Sequence, residues 1–319
     1  AALPLVYRLL FSFRPLQDPD LLVAREADRA AVERHAARWQ EGLTNALVLT
    51  GPAGSGRTSF INVLRKTTFR TAQRHTLELT ERISSEAAFA EAVVQALNLS
   101  IEVDGRPTLD AVAAHLRQQP VPDRLLVCVI EEFEHVFHRT VGGTALGARI
   151  LNFLSETDTR VLWLLTTTDA AWQVVEASEP AAARLVVRHR LDPLDRGELE
   201  TLIMTRHRRS GLPLDFTVPD EATAPILARR VKALDDPERR QALLRTEFFD
   251  RLHDACGQNV MLALFYWFRS VTLDADEGVL RVRPLNPVSF EVLDTFPLPH
   301  AFALKALLEH GTLTVAELA

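Results

Sequence analysis

The sequence predicts an α/β fold built on a parallel sheet with helices on both faces. Strand-sized apolar segments alternate with helical segments over the first 190 residues, the first strand runs straight into a glycine-rich stretch, and from Asp192 onward the pattern turns helical. Continuous apolar runs, rather than alternating ones, are typical of strands that are buried on both faces. Strand–helix alternation of this kind favours a parallel sheet.

The elements follow in order along the chain. The predicted strands are 46–50, 75–79, 125–130, 161–166 and 185–191. The predicted helices are 27–40, 59–66, 84–97, 109–118, 144–156 and 170–177. Beyond Asp192 we expect helices only, until a short β-like piece at 279–283 and an amphipathic helix at 302–308. The change of pattern near 191 is the best predicted domain boundary.

Composition restricts the function classes. The chain has 319 residues, a hydrophobic fraction of 47% and a formal charge of −6, which is typical of a soluble globular protein of about two or three domains. Mild acidity argues against general coating of nucleic acid. No apolar run approaches the ~18 residues that span a bilayer, so no membrane span is expected in this segment. Cys128 and Cys256 lie in apolar patterns, which indicates core thiols and a reducing, cytoplasmic compartment.

A phosphate-binding loop is the strongest motif. The apolar strand Leu47-Val48-Leu49 leads into Gly51-x-x-x-x-Gly56-Arg57-Thr58, and a helical pattern follows. Such a loop turns backbone N–H groups around a polyphosphate, and the next helix presents its positive end to the same anion. The expected phosphate contacts are Gly51, Pro52, Ala53, Gly54, Ser55, Gly56, Arg57, Thr58 and Ser59. Thr58 would supply a hydroxyl to Mg²⁺, while arginine replaces the usual lysine at 57.

A second acidic motif ends the predicted strand 125–130. Glu131 and Glu132 follow Leu125-Leu-Val-Cys-Val-Ile130, which is the layout of a Walker B element. The first acid would hold Mg²⁺, usually through water, and the second would polarise an attacking water. The alternative is a pair of solvated turn residues. Glu131 stands where aspartate is usual and is one methylene longer.

These motifs resemble the AAA+ and STAND class of P-loop ATPases, particularly the branch related to replication initiators. The resemblance covers residues 20–270 and includes Val23-Ala24-Arg25-Glu26, which is similar to the box that begins that branch, with Ala24 in place of a glycine. It implies ATP or ADP with Mg²⁺, and places Val23 and Arg25 near adenine. Thr168, at the end of the strand from Val161, would contact the γ-phosphate or the attacking water.

The resemblance also implies a domain layout and an assembly. It suggests an N-terminal extension (1–24), a nucleotide-binding core (25–191), a helical lid (192–272) and a partial winged-helix-like segment (273–319). Arg184, just before the last core strand, would reach into a neighbouring subunit and stabilise charge on its γ-phosphate. Both ends of the sequence look cut, so we expect a piece of a longer polypeptide.

Three departures from the family pattern bear on catalysis. Arg57, Glu131 and Val260 each replace a group that aligns or neutralises the γ-phosphate, and one such lost contact costs about 3 kcal/mol of transition-state stabilisation. We therefore expect a nucleotide-dependent switch or scaffold with slow or absent hydrolysis. Its partner would be another protein, the rest of a longer chain or a second copy. Two alternatives stay open: an active oligomeric ATPase in which Arg57 does the work of lysine, and an initiator-like DNA-binding adaptor, with nucleic acid the less favoured partner.

Overall fold

The computed structural model describes residues 3–79, 82–102, 105–120, 124–137, 142–222, 224–257, 259–310, 313 and 315. The strands are β1 (Leu47–Gly51), β2 (Gln73–Glu78), β3 (Leu126–Glu131), β4 (Leu162–Thr168), β5 (Val187–Arg190), β6 (Leu214–Phe216), β7 (Val271–Asp274) and β8 (Val279–Val282). The α-helices are α1 (Leu5–Leu10), α2 (Glu26–Gln40), α3 (Arg57–Lys66), α4 (Glu86–Ala96), α5 (Leu109–Gln118), α6 (Ala145–Thr157), α7 (Asp169–Ser178), α8 (Pro180–Ala183), α9 (Arg196–Arg208), α10 (Pro225–Lys232), α11 (Pro237–Cys256), α12 (Val260–Ser270) and α13 (Leu298–His310).

The chain divides into two compact units. The helical unit comprises Ala1–Arg25, Ala53–Ser59 and Pro193–Phe290. The parallel-sheet unit comprises Glu26–Pro52, Phe60–Asp192 and Glu291–Ala319. The glycine-rich loop therefore groups with the helical unit, although the strand before it belongs to the parallel-sheet unit.

The parallel-sheet unit is built on five strands in the order β2-β3-β4-β1-β5, and every neighbouring pair is parallel. All of β1 is buried, as are β3 and β4 apart from one end residue each, because these central strands are covered on both faces. Helices connect the parallel strands, as parallel pairing requires. The predicted α/β fold class with a parallel sheet is confirmed.

Local sequence signals start several of its helices. The hydroxyl of Ser85 accepts a hydrogen bond from the amide of Ala88 at the start of α4, and Thr108 does the same for α5. The predicted strands and helices of this unit agree with the observed ones to within a few residues, and α8 is an addition. Cys128 is a buried free thiol of β3, and burial raises its pKa to about 12.

The sheet register brings the candidate strand ends together. Gly51 at the end of β1 lies opposite Thr168 at the end of β4, and Ile130 of β3 lies opposite Leu165. Because parallel strands end on the same edge, Gly51, Glu131 and Thr168 share the carboxyl edge of the sheet.

The helical unit contains a second, three-stranded sheet in the order β6-β8-β7. Strand β8 corresponds to the predicted β-like piece at 279–283. The expectation of helices alone before that piece is wrong, since β6 and β7 precede it. Both strands are short: β6 has three residues and β7 begins directly after α12, so neither shows a period of its own.

An N-terminal helix completes the core of the helical unit. Tyr7 of α1 is fully buried, stacks on Phe11 with ring centroids 4.7 Å apart, and accepts a hydrogen bond from the indole nitrogen of Trp267 at 3.0 Å. Burial raises the pKa of the Tyr7 hydroxyl above its ordinary value. Arg206 of α9 donates to the carbonyl of Leu10 at 3.2 Å, which fixes the end of α1.

The C-terminal region is described as far as α13 and, beyond it, at residues 313 and 315. This helix begins earlier than the predicted one at 302–308 and extends beyond it. The predicted stop at Gly311, and almost all of the second helix after it, lie outside the described residues. The winged-helix-like segment at 273–319 stays a prediction. Among the described residues, none of the helices has the combination of length and apolar character needed to cross a bilayer.

Candidate functional site: a glycine-rich loop and its supports

The glycine-rich loop lies between a buried strand and a helix. Strand β1 ends at Gly51 and α3 begins at Arg57. Gly54 and Gly56 have φ angles of 76° and 90°, a region that glycine enters at little cost and other residues avoid. This strand–loop–helix arrangement is the structural context that a phosphate-binding loop requires.

Three hydrogen bonds from within the helical unit hold the loop. The Arg25 guanidinium, itself buried, donates to the carbonyl of Ser55 at 3.1 Å. The amide of Met261 donates to the carbonyl of Gly54 at 3.1 Å. The amide of Leu16 donates to the hydroxyl of Ser59 at 2.9 Å. Arg25 thus supports the backbone of the loop, a contact that sequence reasoning did not foresee.

The residue before Arg25 has a strained backbone conformation. Ala24 has a φ of 57°, in the left-handed region where a Cβ atom is crowded. Glycine, which the resembling motif carries there, would adopt this conformation without that cost. Val23 is half-buried against the core of the helical unit.

The start of α12 packs directly on the loop. Asn259 caps this helix, its side-chain oxygen accepting from the amide of Leu262 at 2.9 Å. A Cβ atom built on Gly54 would lie 2.3 Å from that same oxygen, so only glycine fits beneath the cap. Val260, the next residue, was singled out from the sequence, but this contact of Asn259 was not foreseen. An asparagine directly before an apolar helical run is the N-cap signal that could have indicated it.

The two acids at the end of β3 are in different environments. Glu131 is buried, and its Oε1 accepts from Nη2 of Arg65 on α3 at 2.8 Å. Glu132 has a φ of 57°, its side chain is 61% exposed, and its Oε2 lies 3.7 Å from Nδ1 of His135. Its amide donates to the Thr166 hydroxyl at 3.3 Å. Arg65 is therefore a site residue that sequence reasoning missed; its place in the last turn of the loop helix was the only available signal.

Thr168 has a local structural contact. Its hydroxyl caps α7 by accepting from the amide of Ala171 at 3.1 Å. The next residue, Asp169, binds Arg188 at 3.1 Å and Arg190 at 2.9 Å. Burial alone would raise the pKa of Asp169, but hydrogen bonds from Arg190, Thr50 and Arg188 together hold it below its ordinary value.

The arginines around β5 differ in their contacts and in their exposure. Arg188 donates to Thr50 at 3.1 Å and pairs with Glu176 at 3.1 Å, besides its contact with Asp169. Arg184, by contrast, is an exposed residue at the end of α8. Of the three arginines near this strand, Arg184 is the one for which no carboxylate partner is recorded among the described residues.

The part of the chain that the structure describes contains no group of three or more His, Cys, Asp and Glu side chains that could together hold a metal ion. Within those residues, the predicted ligand Glu131 is therefore not part of such a group, and Thr58 has none beside it.

No family model matches this sequence, and no curated protein matches it. Solved structures with a similar fold include the ORC2 protein of Aeropyrum pernix in ADPNP-ADP complexes, at 14% identity and a TM-score of 0.49, covering 98% of this chain and 81% of that one. The ORC1 protein of Aeropyrum pernix in complex with DNA is 19% identical with a TM-score of 0.47, covering 95% and 75%. Cdc6p from Pyrobaculum aerophilum is 15% identical with a TM-score of 0.48, covering 98% and 81%.

Proposed function

We propose that this chain binds ATP or ADP through residues Gly51–Ser59 and acts as a nucleotide-dependent switch or scaffold. The observation that carries this proposal is the loop itself, in which Gly54 and Gly56 take up positive φ angles between a buried strand and the first turn of α3. Backbone amides and a helix N-terminus suit a polyphosphate without further machinery. The AAA+ resemblance supports adenine as the base.

Slow or absent hydrolysis is the second part of the proposal. Arg57 stands in place of lysine, and a planar guanidinium cannot occupy the same volume as an ammonium group. Glu132, the proposed water-polarising acid, carries a side chain that is largely exposed, on a residue in the left-handed region. Each feature weakens catalysis more than it weakens binding.

Calorimetry with nucleotide-free protein tests the binding. ATP and ADP should bind at one site, and Arg57→Ala should weaken binding about 10- to 100-fold because a charge-assisted hydrogen bond is lost. Arg34→Ala, which removes an exposed arginine of α2, is the matched control and should leave the affinity unchanged. A folded protein that binds neither nucleotide, and carries none after purification, would refute the proposal.

Turnover measurements separate the switch from an active ATPase. At saturating Mg·ATP we expect very slow release of phosphate, with Arg57→Lys raising the rate or leaving it the same. Robust turnover that Arg57→Lys abolishes would instead make Arg57 an adapted catalytic residue, and the enzyme hypothesis would replace the switch.

Self-association linked to nucleotide is the third part. Its support is that Arg184 is exposed just before the edge strand β5, whereas Arg188 and Arg190 are held by Asp169. An ATP analogue should raise the mass in sedimentation, and Arg184→Ala should remove that rise while nucleotide affinity stays within about threefold. A monomer at all concentrations, with and without nucleotide, contradicts this role.

A further inference from the structure

We propose that nucleotide binding at this loop does not depend on Mg²⁺, because the acid that would help to hold the ion is committed to an arginine. The inference rests on the proposed function and concerns the same site. It follows from the pairing of Glu131 with Arg65, from the position of Glu132, and from the donors that remain in the loop.

The pairing is close and sheltered. Arg65 lies in the last turn of α3, and its Nη2 is 2.8 Å from Oε1 of Glu131. The Glu131 side chain is only 9% exposed and that of Arg65 22%. Nη1 of Arg65 also donates to the side-chain oxygen of Asn62 at 3.2 Å, which orients the guanidinium from its own helix. Charge-assisted bonds of this kind are about twice as strong as neutral ones.

The protein ligands predicted from the motif therefore do not suit Mg²⁺. The ion requires near-octahedral oxygen ligands and is usually held through one or two carboxylates together with phosphate oxygens and water. Coordination through Oε1 of Glu131 would take that oxygen from Arg65 in a sheltered position, which is unfavourable, and the guanidinium places a positive charge beside any cation held by the other oxygen. Glutamate is one methylene longer than aspartate, which extends the carboxylate of Glu131 toward Arg65.

The second acid does not replace the first. Glu132 is largely exposed and lies beside His135, on a residue whose left-handed backbone directs it differently from Glu131. Of the two predicted ligands this leaves Thr58, and a single hydroxyl does not define a magnesium site.

The loop carries other means of balancing phosphate charge. The start of α3 contributes its positive dipole end and Arg57 contributes a full positive charge. The hydroxyl of Ser55, whose residue is 5% exposed, has no hydrogen-bond partner among the described residues. A phosphate oxygen is an acceptor that would satisfy it. Nucleotide can thus be held by groups of the chain itself.

The dissociation constant of ATP in excess EDTA, divided by that in excess MgCl₂, measures the dependence directly. For the wild-type chain we expect a ratio within about threefold of one. A ratio above about ten overturns this inference and leaves the proposed function standing. Absence of binding in both buffers overturns the proposed function, and the inference with it.

Variants of both partners identify the cause. Arg65→Gln releases Glu131, and Glu131→Asp shortens the acid out of reach of Arg65; we expect each to raise the ratio about tenfold. Arg65→Lys keeps a cation opposite Glu131 and is the matched control, with a ratio that stays near the wild-type value. If one variant does not fold, as judged by circular dichroism, the other carries the test. A ratio that stays near one in a folded Arg65→Gln or Glu131→Asp variant shows that the ion pair is not what excludes Mg²⁺.

Discussion

The two compact units differ in where the hydrogen-bond acceptor of a buried tryptophan comes from. Each buries a tryptophan whose indole N–H donates to a hydroxyl at 3.0 Å. In the parallel-sheet unit Trp163 binds Thr157, six residues away along the chain. In the helical unit Trp267 binds Tyr7, 260 residues away. The first indole N–H is therefore satisfied by a neighbour in sequence, whereas the second is satisfied by a residue near the start of the chain.

The two cores also differ in the types of residue that fill them. The parallel-sheet core is mainly aliphatic, since Val, Leu and Ile fill the faces of parallel strands. Around Trp267 the helical unit instead places a cluster of rings, with centroids 5.7 to 6.5 Å from the indole; these are Phe11, Phe216, Phe248 and Phe249. Aromatic pairs at such distances add specific geometry to simple area burial. The helical unit thus depends on long-range contacts between a few large side chains.

Tyr7→Ala should have the largest effect. It removes a fully buried ring from the aromatic cluster and should lower the free energy of unfolding by about 3–5 kcal/mol. Hydrogen exchange should then show loss of protection in α9, α11 and α12 before any loss in β1, β3 and β4. Leu5→Ala on the same helix, at a side chain that is 62% exposed, is the control and should cost less than about 0.5 kcal/mol. Equal loss of protection in both units would contradict the proposed dependence of the helical unit on Tyr7.

Glycine substitutions in the loop should have an intermediate effect on the free energy of unfolding. They test whether the loop is held by contacts within the helical unit. Gly54→Ala introduces a strained backbone and a clash with the cap Asn259, so we expect it to cost about 2–4 kcal/mol of unfolding free energy. Gly56→Ala meets no neighbouring atom within 4 Å and should cost only about 1–2 kcal/mol of backbone strain.

Adding Asn259→Ala to Gly54→Ala provides the test of mechanism, measured by urea unfolding. The double variant should cost less than the sum of the two single variants, because the clash exists only when both side chains are present. Strict additivity would mean that the cap and the loop are not in contact.

The smallest effects should come from the two indole hydrogen bonds. Tyr7→Phe and Thr157→Val each remove the acceptor of a buried tryptophan while keeping the shape nearly constant, so each should cost about 1–3 kcal/mol of unfolding free energy. Similar losses would show that a buried indole N–H needs its acceptor equally, whether the acceptor is near or far along the chain. A neutral Tyr7→Phe variant would contradict the equivalence.

Sequence reasoning succeeded where a signal is local. The central strands β1, β3 and β4 were predicted because each is an apolar run, and the loop 51–58 because its glycines and flanking elements are contiguous. It failed where the signal is short or distant. Strands β6 and β7 have three and four residues, too few for a period to appear. The burial of Tyr7 depends on rings that come from the far end of the chain.

The candidate site divides in the same manner. The amino-acid sequence by itself determined the loop, the acids Glu131 and Glu132 and the replacement of lysine by Arg57, since these follow from residue type and spacing. Only the tertiary structure decided that Glu131 pairs with Arg65 and that Asn259 covers Gly54. The physical reason is that the chemistry of a carboxylate depends on the cation nearest to it in space. Glu131 and Arg65 are 66 positions apart, and no local pattern in the sequence indicates that they pair.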